Sequence, residues 1–94
     1  MNKETNENYE IAGVITEVNS ESKRVLLNLT KRVQEDEEQM WVSVGENTKI
    51  SNEKEEDFSF EDLKTEFQLK VNLTGGQCLE PKPRICSAGK IVIE

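Results

Sequence analysis

The chain has 94 residues, 34% hydrophobic and 33% charged, with a formal net charge of −7. That length supports one domain with a modest core, and no run approaches the roughly 18–20 apolar residues that a membrane-spanning helix needs. The acidic balance disfavours generic nucleic-acid binding, where Lys and Arg neutralise phosphates. The absence of histidine removes the usual player in acid–base, triad and zinc chemistry.

The charge is unevenly placed. Residues 31–66 hold twelve acids against five bases, while the rest of the chain balances at seven against seven. The runs Glu35-Asp36-Glu37-Glu38 and Glu55-Glu56-Asp57 read as solvated loops. Residues 1–8 are polar and rich in Asn and Glu, and are expected to form a disordered lead-in or tether; residues 9–94 form a single domain.

In chain order, the first periodic segment is Tyr9 to Val18. Its apolar residues change parity at Gly13, with Ile11 on one side and Val14 and Val18 on the other, which predicts a bent or bulged strand. After the turn cluster Asn19-Ser20-Glu21-Ser22, Val25, Leu27 and Leu29 alternate inward and Leu26 and Asn28 outward, completing a hairpin. Met40, Val42 and Val44 mark the inner side of a third strand, with Gln39, Trp41 and Ser43 on its other side. A short extended piece, Thr48 to Ile50, follows.

Ser59 is a natural N-cap, Asp62 completes a capping box, and Phe58 with Leu63 matches a hydrophobic staple. These predict a helix of about two turns from Phe60 to near Glu66. Phe67, Leu69, Val71 and Leu73 then alternate as a strand up to Gly75-Gly76, and Lys90 to Ile93 forms the last strand. The order β-β-β-α-β-β predicts an all-β domain with one short helix, a small five-stranded OB-type barrel, with a half-open β-sandwich as the rival.

Cys78 and Cys86 bracket a loop containing Pro81 and Pro83. The spacing is neither a redox CxxC nor a zinc pattern, which leaves a disulfide or two buried thiols. Closing a ring of this size contributes roughly 2.5 kcal/mol, and a disulfide implies an oxidising compartment. Nothing in the chain resembles a phosphate loop or a dinucleotide fingerprint, and no cofactor or enzymatic activity is expected.

The frame Gly13-Val14-Ile15, Arg24-Val25-Leu26-Leu27, Trp41-Val42-Ser43-Val44, Thr48-Lys49-Ile50, Phe60-Glu61-Asp62-Leu63-Lys64, Leu69-Lys70-Val71 and Ala88-Gly89-Lys90-Ile91 resembles a known family. These are the YobA-like OB-type domains of unknown function, found in exported lipoproteins of Gram-positive, spore-forming bacteria. The resemblance covers roughly residues 9–94. It implies a lipid-tethered, extracytoplasmic protein whose anchoring cysteine precedes residue 1, and it supplies no activity.

OB domains usually bind on the face of strands 2 and 3, flanked by the loops joining strands 1–2 and 4–5. Here that face carries Leu26, Asn28, Trp41 and Ser43, and the loops bring Lys23, Arg24, Lys82 and Arg84. A tryptophan beside cations suits an anionic glycan or an acidic peptide; the plainer alternative is an aromatic that merely covers the barrel. The acidic block is expected to lie largely elsewhere. The leading expectation is therefore a monomeric ligand-binding or interaction module. A structural or stress-related accessory domain and a single-strand nucleic-acid-binding OB domain are its alternatives.

Overall fold

Alternating apolar residues become strands wherever one face can be buried. The computed structural model describes residues 9–32, 35–74, 78–80 and 83–94. Its strands are β1 (Ile11–Asn19), β2 (Arg24–Lys31), β3 (Gln39–Ser43), β4 (Lys49–Asn52), β5 (Asp57–Phe58), β6 (Gln68–Leu73) and β7 (Ile85–Ile93). The segments expected at residues 1–8 and at Gly75-Gly76 lie outside the described residues.

β3, β2, β1, β6 and β7 are neighbours in that order, and β7 returns to β3, so these five strands close into a barrel. The internal junctions are antiparallel, and the closing one is parallel, with Val42 opposite Cys86. This is the expected OB-type architecture, and closure sets aside the half-open sandwich. It also satisfies backbone groups that an open sheet would leave at its edges. β4, at the site of the expected extended piece, pairs in parallel with the far half of β7, and β5 flanks it. β7 is longer than expected because its first residues, from Ile85, pair with β3.

The core follows the inward positions of every strand. Ile11, Ile15, Val25, Leu27, Met40, Val42, Leu69, Val71 and Ile91 are essentially inaccessible. Truncating one of the large ones, for example Leu27→Ala, removes about 2–5 kcal/mol. Phe67, expected in the inner row, is instead half-buried and packed against the margin of this core.

β1 corrects one detail. Its register against β2 is irregular between Ala12 and Gly13, as Gly13 suggests, and again between Ile15 and Glu17. The change of face falls at the second irregularity: Ile11, Gly13 and Ile15 all point inward, and Val14 is left half-buried on the outside. Gly13 serves close approach instead, since a Cβ there would lie 2.6 Å from the carbonyl oxygen of Asn28.

The expected two-turn helix is a single 3-10 turn, Phe60–Asp62. The cap forms as expected, with the Asp62 carboxylate accepting the Ser59 N–H at 3.0 Å. Propagation fails because the barrel takes the following backbone. Glu66 N–H donates to Ile15 O at 2.7 Å, and Ile15 N–H donates to Phe67 O at 2.9 Å. A short helix gains too little to compete with these bonds, and Leu63 is already extended and buried.

Candidate functional site

The outer face of β2 and β3 is set by register. Leu26 lies directly opposite Trp41, Arg24 opposite Ser43, and Asn28 opposite Gln39. Opposed residues project from the same side of a sheet, so Leu26, Asn28, Trp41 and Ser43 share one face, as their alternation suggests. Leu26 and Trp41 are half-buried and stand outside the apolar cluster of the barrel interior. Trp41 is thus carried on the surface of the barrel, with Leu26 as its cross-strand neighbour.

The basic residues separate. Lys23 is exposed in the β1–β2 turn at φ 57°, and its carbonyl accepts the Val44 N–H at 2.9 Å, which ties the turn to the end of β3. Arg24 opens β2 beside Ser43, and its Nε–H is buried without an acceptor among the described residues. Lys82 lies outside the described residues.

Arg84 holds a different position from that expected of a free cation at a binding face. Its Nε and Nη2 donate to the two carboxylate oxygens of Glu37 at 2.7 and 2.9 Å, and the Glu37 side chain is only 1% exposed. The hydrogen bond to Glu37 raises the guanidinium above its ordinary value; burial opposes this, and the charges of Glu37 and Glu80 reinforce it. The acidic run therefore does reach this region, through Glu37, and Arg84 is neutralised there. Its backbone contributes as well, because Arg84 O accepts the Trp41 N–H at 2.8 Å. Glu37 is a residue that sequence reasoning missed, since within Glu35-Asp36-Glu37-Glu38 nothing distinguishes the buried acid from the solvated ones.

Cys78 and Cys86 form a disulfide with Cα atoms 4.4 Å apart, the first of the two alternatives. That spacing is the one a non-hydrogen-bonded antiparallel pair provides. The neighbouring pair, Leu79 and Ile85, exchanges backbone hydrogen bonds at 2.8 and 3.1 Å. Cys86 belongs to the core, so the bridge anchors the loop to the barrel interior.

Elsewhere, a polar cleft of about 370 Å³ is lined by Tyr9, Ser51, Asn52, Glu53, Lys90 and Val92 among others. The Lys90 ammonium stands 5.9 Å from the centre of the Tyr9 ring. No nucleophile with an activating base is found there among the described residues. Among those residues, too, no group of three or more His, Cys, Asp or Glu is placed to hold a metal, and no helix is long and apolar enough to cross a membrane.

No family model and no curated protein matches the chain. Two solved structures share its fold. The Ag(I) form of CusF is 17% identical with a TM-score of 0.59, the match covering 89% of this chain and 93% of that one. A Cu(II)-bound tryptophan-to-alanine variant of CusF from Escherichia coli is 17% identical with a TM-score of 0.60, over 92% and 90%. Soft Ag(I) favours thioether and thiolate donors, and copper is held chiefly by those or by imidazole. Here Met40 is fully buried in the core, both cysteines are oxidised, and the chain has no histidine, so the described residues do not fit those metals. At this level of identity the likeness is one of fold, and it places the chain among small closed OB-type barrels.

Proposed function

We propose that this domain is a non-catalytic binding module of an extracytoplasmic protein, and that it meets its partner through the outer face of β2 and β3. The observation that carries the reading is the pairing of Trp41 with Leu26 on that face, outside the core. An aromatic and an aliphatic side chain left together on a barrel exterior form a contact surface for an apolar or flat group. Asn28 and Ser43 supply polar contacts at its margins, and Lys23, Arg24 and Lys82 supply positive charge. Arg84 acts from beneath, positioning the strand ends through Glu37.

The disulfide supports an oxidising compartment, and the resemblance to YobA-like lipoprotein domains supports attachment outside the membrane. CusF, of similar fold, is a metal-bound protein, but the metal does not transfer because the donors are missing. Nucleic acid is disfavoured by the net charge of −7.

A panel of anionic polysaccharides and acidic peptides, titrated while Trp41 fluorescence is followed, tests this reading. Binding should shift the emission and weaken in Lys82→Glu; Trp41→Ala removes the chain's single tryptophan, so its weaker binding is read by calorimetry. Binding unaffected by either substitution places the site elsewhere and ends the proposal.

A further inference from the structure

Register carries the apolar face beyond β3. Leu26 faces Trp41, Trp41 faces Ile85, and Ile85 faces Leu79 across a hydrogen-bonded bridge. Cys86, next to Ile85, points into the core at 1% exposure, so Ile85 points outward, and Leu79 with it. Four large apolar side chains thus stand in line across four neighbouring segments, roughly 14 Å from end to end at about 4.8 Å per step. Leu79 is 57% exposed, and the adjacent disulfide fixes it against Ile85. A line of this kind loses little conformational freedom on binding.

We infer that this line is the docking strip for an acidic, amphipathic helical segment of a partner protein, laid across the strands with a carboxylate beside Arg24. The inference rests on the reading of the β2–β3 face given above and extends it to β7 and the cysteine loop. Spacing favours a helix, because its pitch of about 5.4 Å nearly matches the step between strands. Apolar residues at i, i+4, i+7 and i+11 then meet successive side chains of the strip. An extended segment repeats on one side only every ~6.8 Å and falls out of step.

Size argues against a second copy of the chain, since four side chains are far fewer than the roughly 20–30 residues per side of a stable interface. Chemistry argues against a sugar, whose hydroxyls find no partners at Leu79 and Ile85. Charge at the Arg24 end favours an acidic partner, whose carboxylate lies on the Arg24 side of the row and not beside Glu17, which faces Leu26 from β1. Arg24 borders the strip, opposite Ser43, and its buried Nε–H lacks an acceptor among the described residues. A carboxylate that draws the guanidinium outward satisfies that donor with a charge-assisted bond, and Lys23 adds a second cation at the same end.

The test uses the oxidised, isotope-labelled domain and three probes. These are a short helical peptide with leucines at i, i+4, i+7 and i+11 flanked by glutamates, the same peptide with lysines replacing the glutamates, and polygalacturonate. The acidic peptide should shift the amide signals of Leu26, Trp41, Ile85 and Leu79. Leu79→Ser, at an exposed position that leaves the core intact, should weaken it roughly tenfold or more. Arg24→Ala should weaken the acidic peptide and leave the basic one unchanged. If polygalacturonate binds at Leu26 and Trp41 while the acidic peptide does not, the helix inference fails and the β2–β3 reading stands. The helix inference fails in the same way if Leu79→Ser has no effect, or if the basic peptide binds as tightly as the acidic one. If no probe shifts this face, both readings fall.

Discussion

Lys70, Val92 and Ser51 face one another across β6, β7 and β4, much as Leu26, Trp41 and Ile85 do across β2, β3 and β7. Both rows lie at outward positions, yet Val92 is only 7% exposed and Ser51 4%. Above the first row the Lys70 ammonium stands 3.6 Å from Glu53 and 3.5 Å from Glu94, and its own side chain is 12% exposed. Long charged side chains roof apolar surface in this way, burying their stems and keeping their heads wet. The second row has no comparable roof among the described residues and ends at the exposed Leu79. Arg84, the long cation beside it, is turned toward Glu37. The same barrel exterior is therefore sealed where charged side chains fold back over it and open where they are directed inward.

The largest expected effect tests what holds the open side. Arg84→Met leaves the Glu37 carboxylate buried without its partner and should cost about 3–5 kcal/mol in denaturant unfolding. Pairing it with Glu37→Leu should recover most of that loss, because a buried ion pair exchanged for apolar groups is often near neutral. A single-variant cost below about 1 kcal/mol would show that the pair is ornamental. The pH sign follows from the raised guanidinium. A cation strengthened by folding stabilises fully below its unfolded value and is lost only as pH rises through the folded one, beyond the neutral range. Arg84 deprotonation should therefore contribute no slope to stability between about pH 6 and about pH 10.

Next in size is the disulfide. Reduction, or Cys78→Ser, should lower stability by about 2–3 kcal/mol and release Leu79 from Ile85. Intact mass should rise by two hydrogen atoms on reduction, two electrons and two protons converting the bridge to two thiols. Two freely alkylated thiols after an oxidising refold would contradict the bond.

The smallest effect belongs to the roofed side. Lys70→Ala removes the ion pairs to the partly exposed Glu53 and Glu94 and should cost about 1 kcal/mol, while uncovering Val92. A loss above about 3 kcal/mol would exceed what exposed ion pairs supply; it would make that roof structural and weaken the contrast between the rows.

Much of the fold was legible in local pattern. Val25, Leu27 and Leu29 in β2, Met40 and Val42 in β3, and Leu69 and Val71 in β6 alternate with polar residues, and a period of two leaves one inward face per strand. The sharing of a face by Leu26, Asn28, Trp41 and Ser43 follows from the same alternation. Ile85 and Leu79 were not legible as site residues, because their place in line with Trp41 depends on β7 pairing in parallel with β3. No local periodicity encodes a pairing between segments some 44 residues apart. The helix stops short of its expected length for a related reason. Ser59 and Asp62 do make the start signal, but the backbone of Glu66 and Phe67 is claimed by Ile15 from a distant strand.

The sequence by itself determined most of the strands, the inward faces of β2, β3 and β6, the cap at Ser59, the uneven charge and the possibility of a bridge between Cys78 and Cys86. All of these are local, resting on periodicity, side-chain reach along the chain and composition. Tertiary structure alone decided which acid of a run is buried and which arginine it neutralises. It also decided where β1 changes face and which outward side chains fall in line. Those outcomes depend on register between distant strands and on desolvation, and both arise only when the barrel closes.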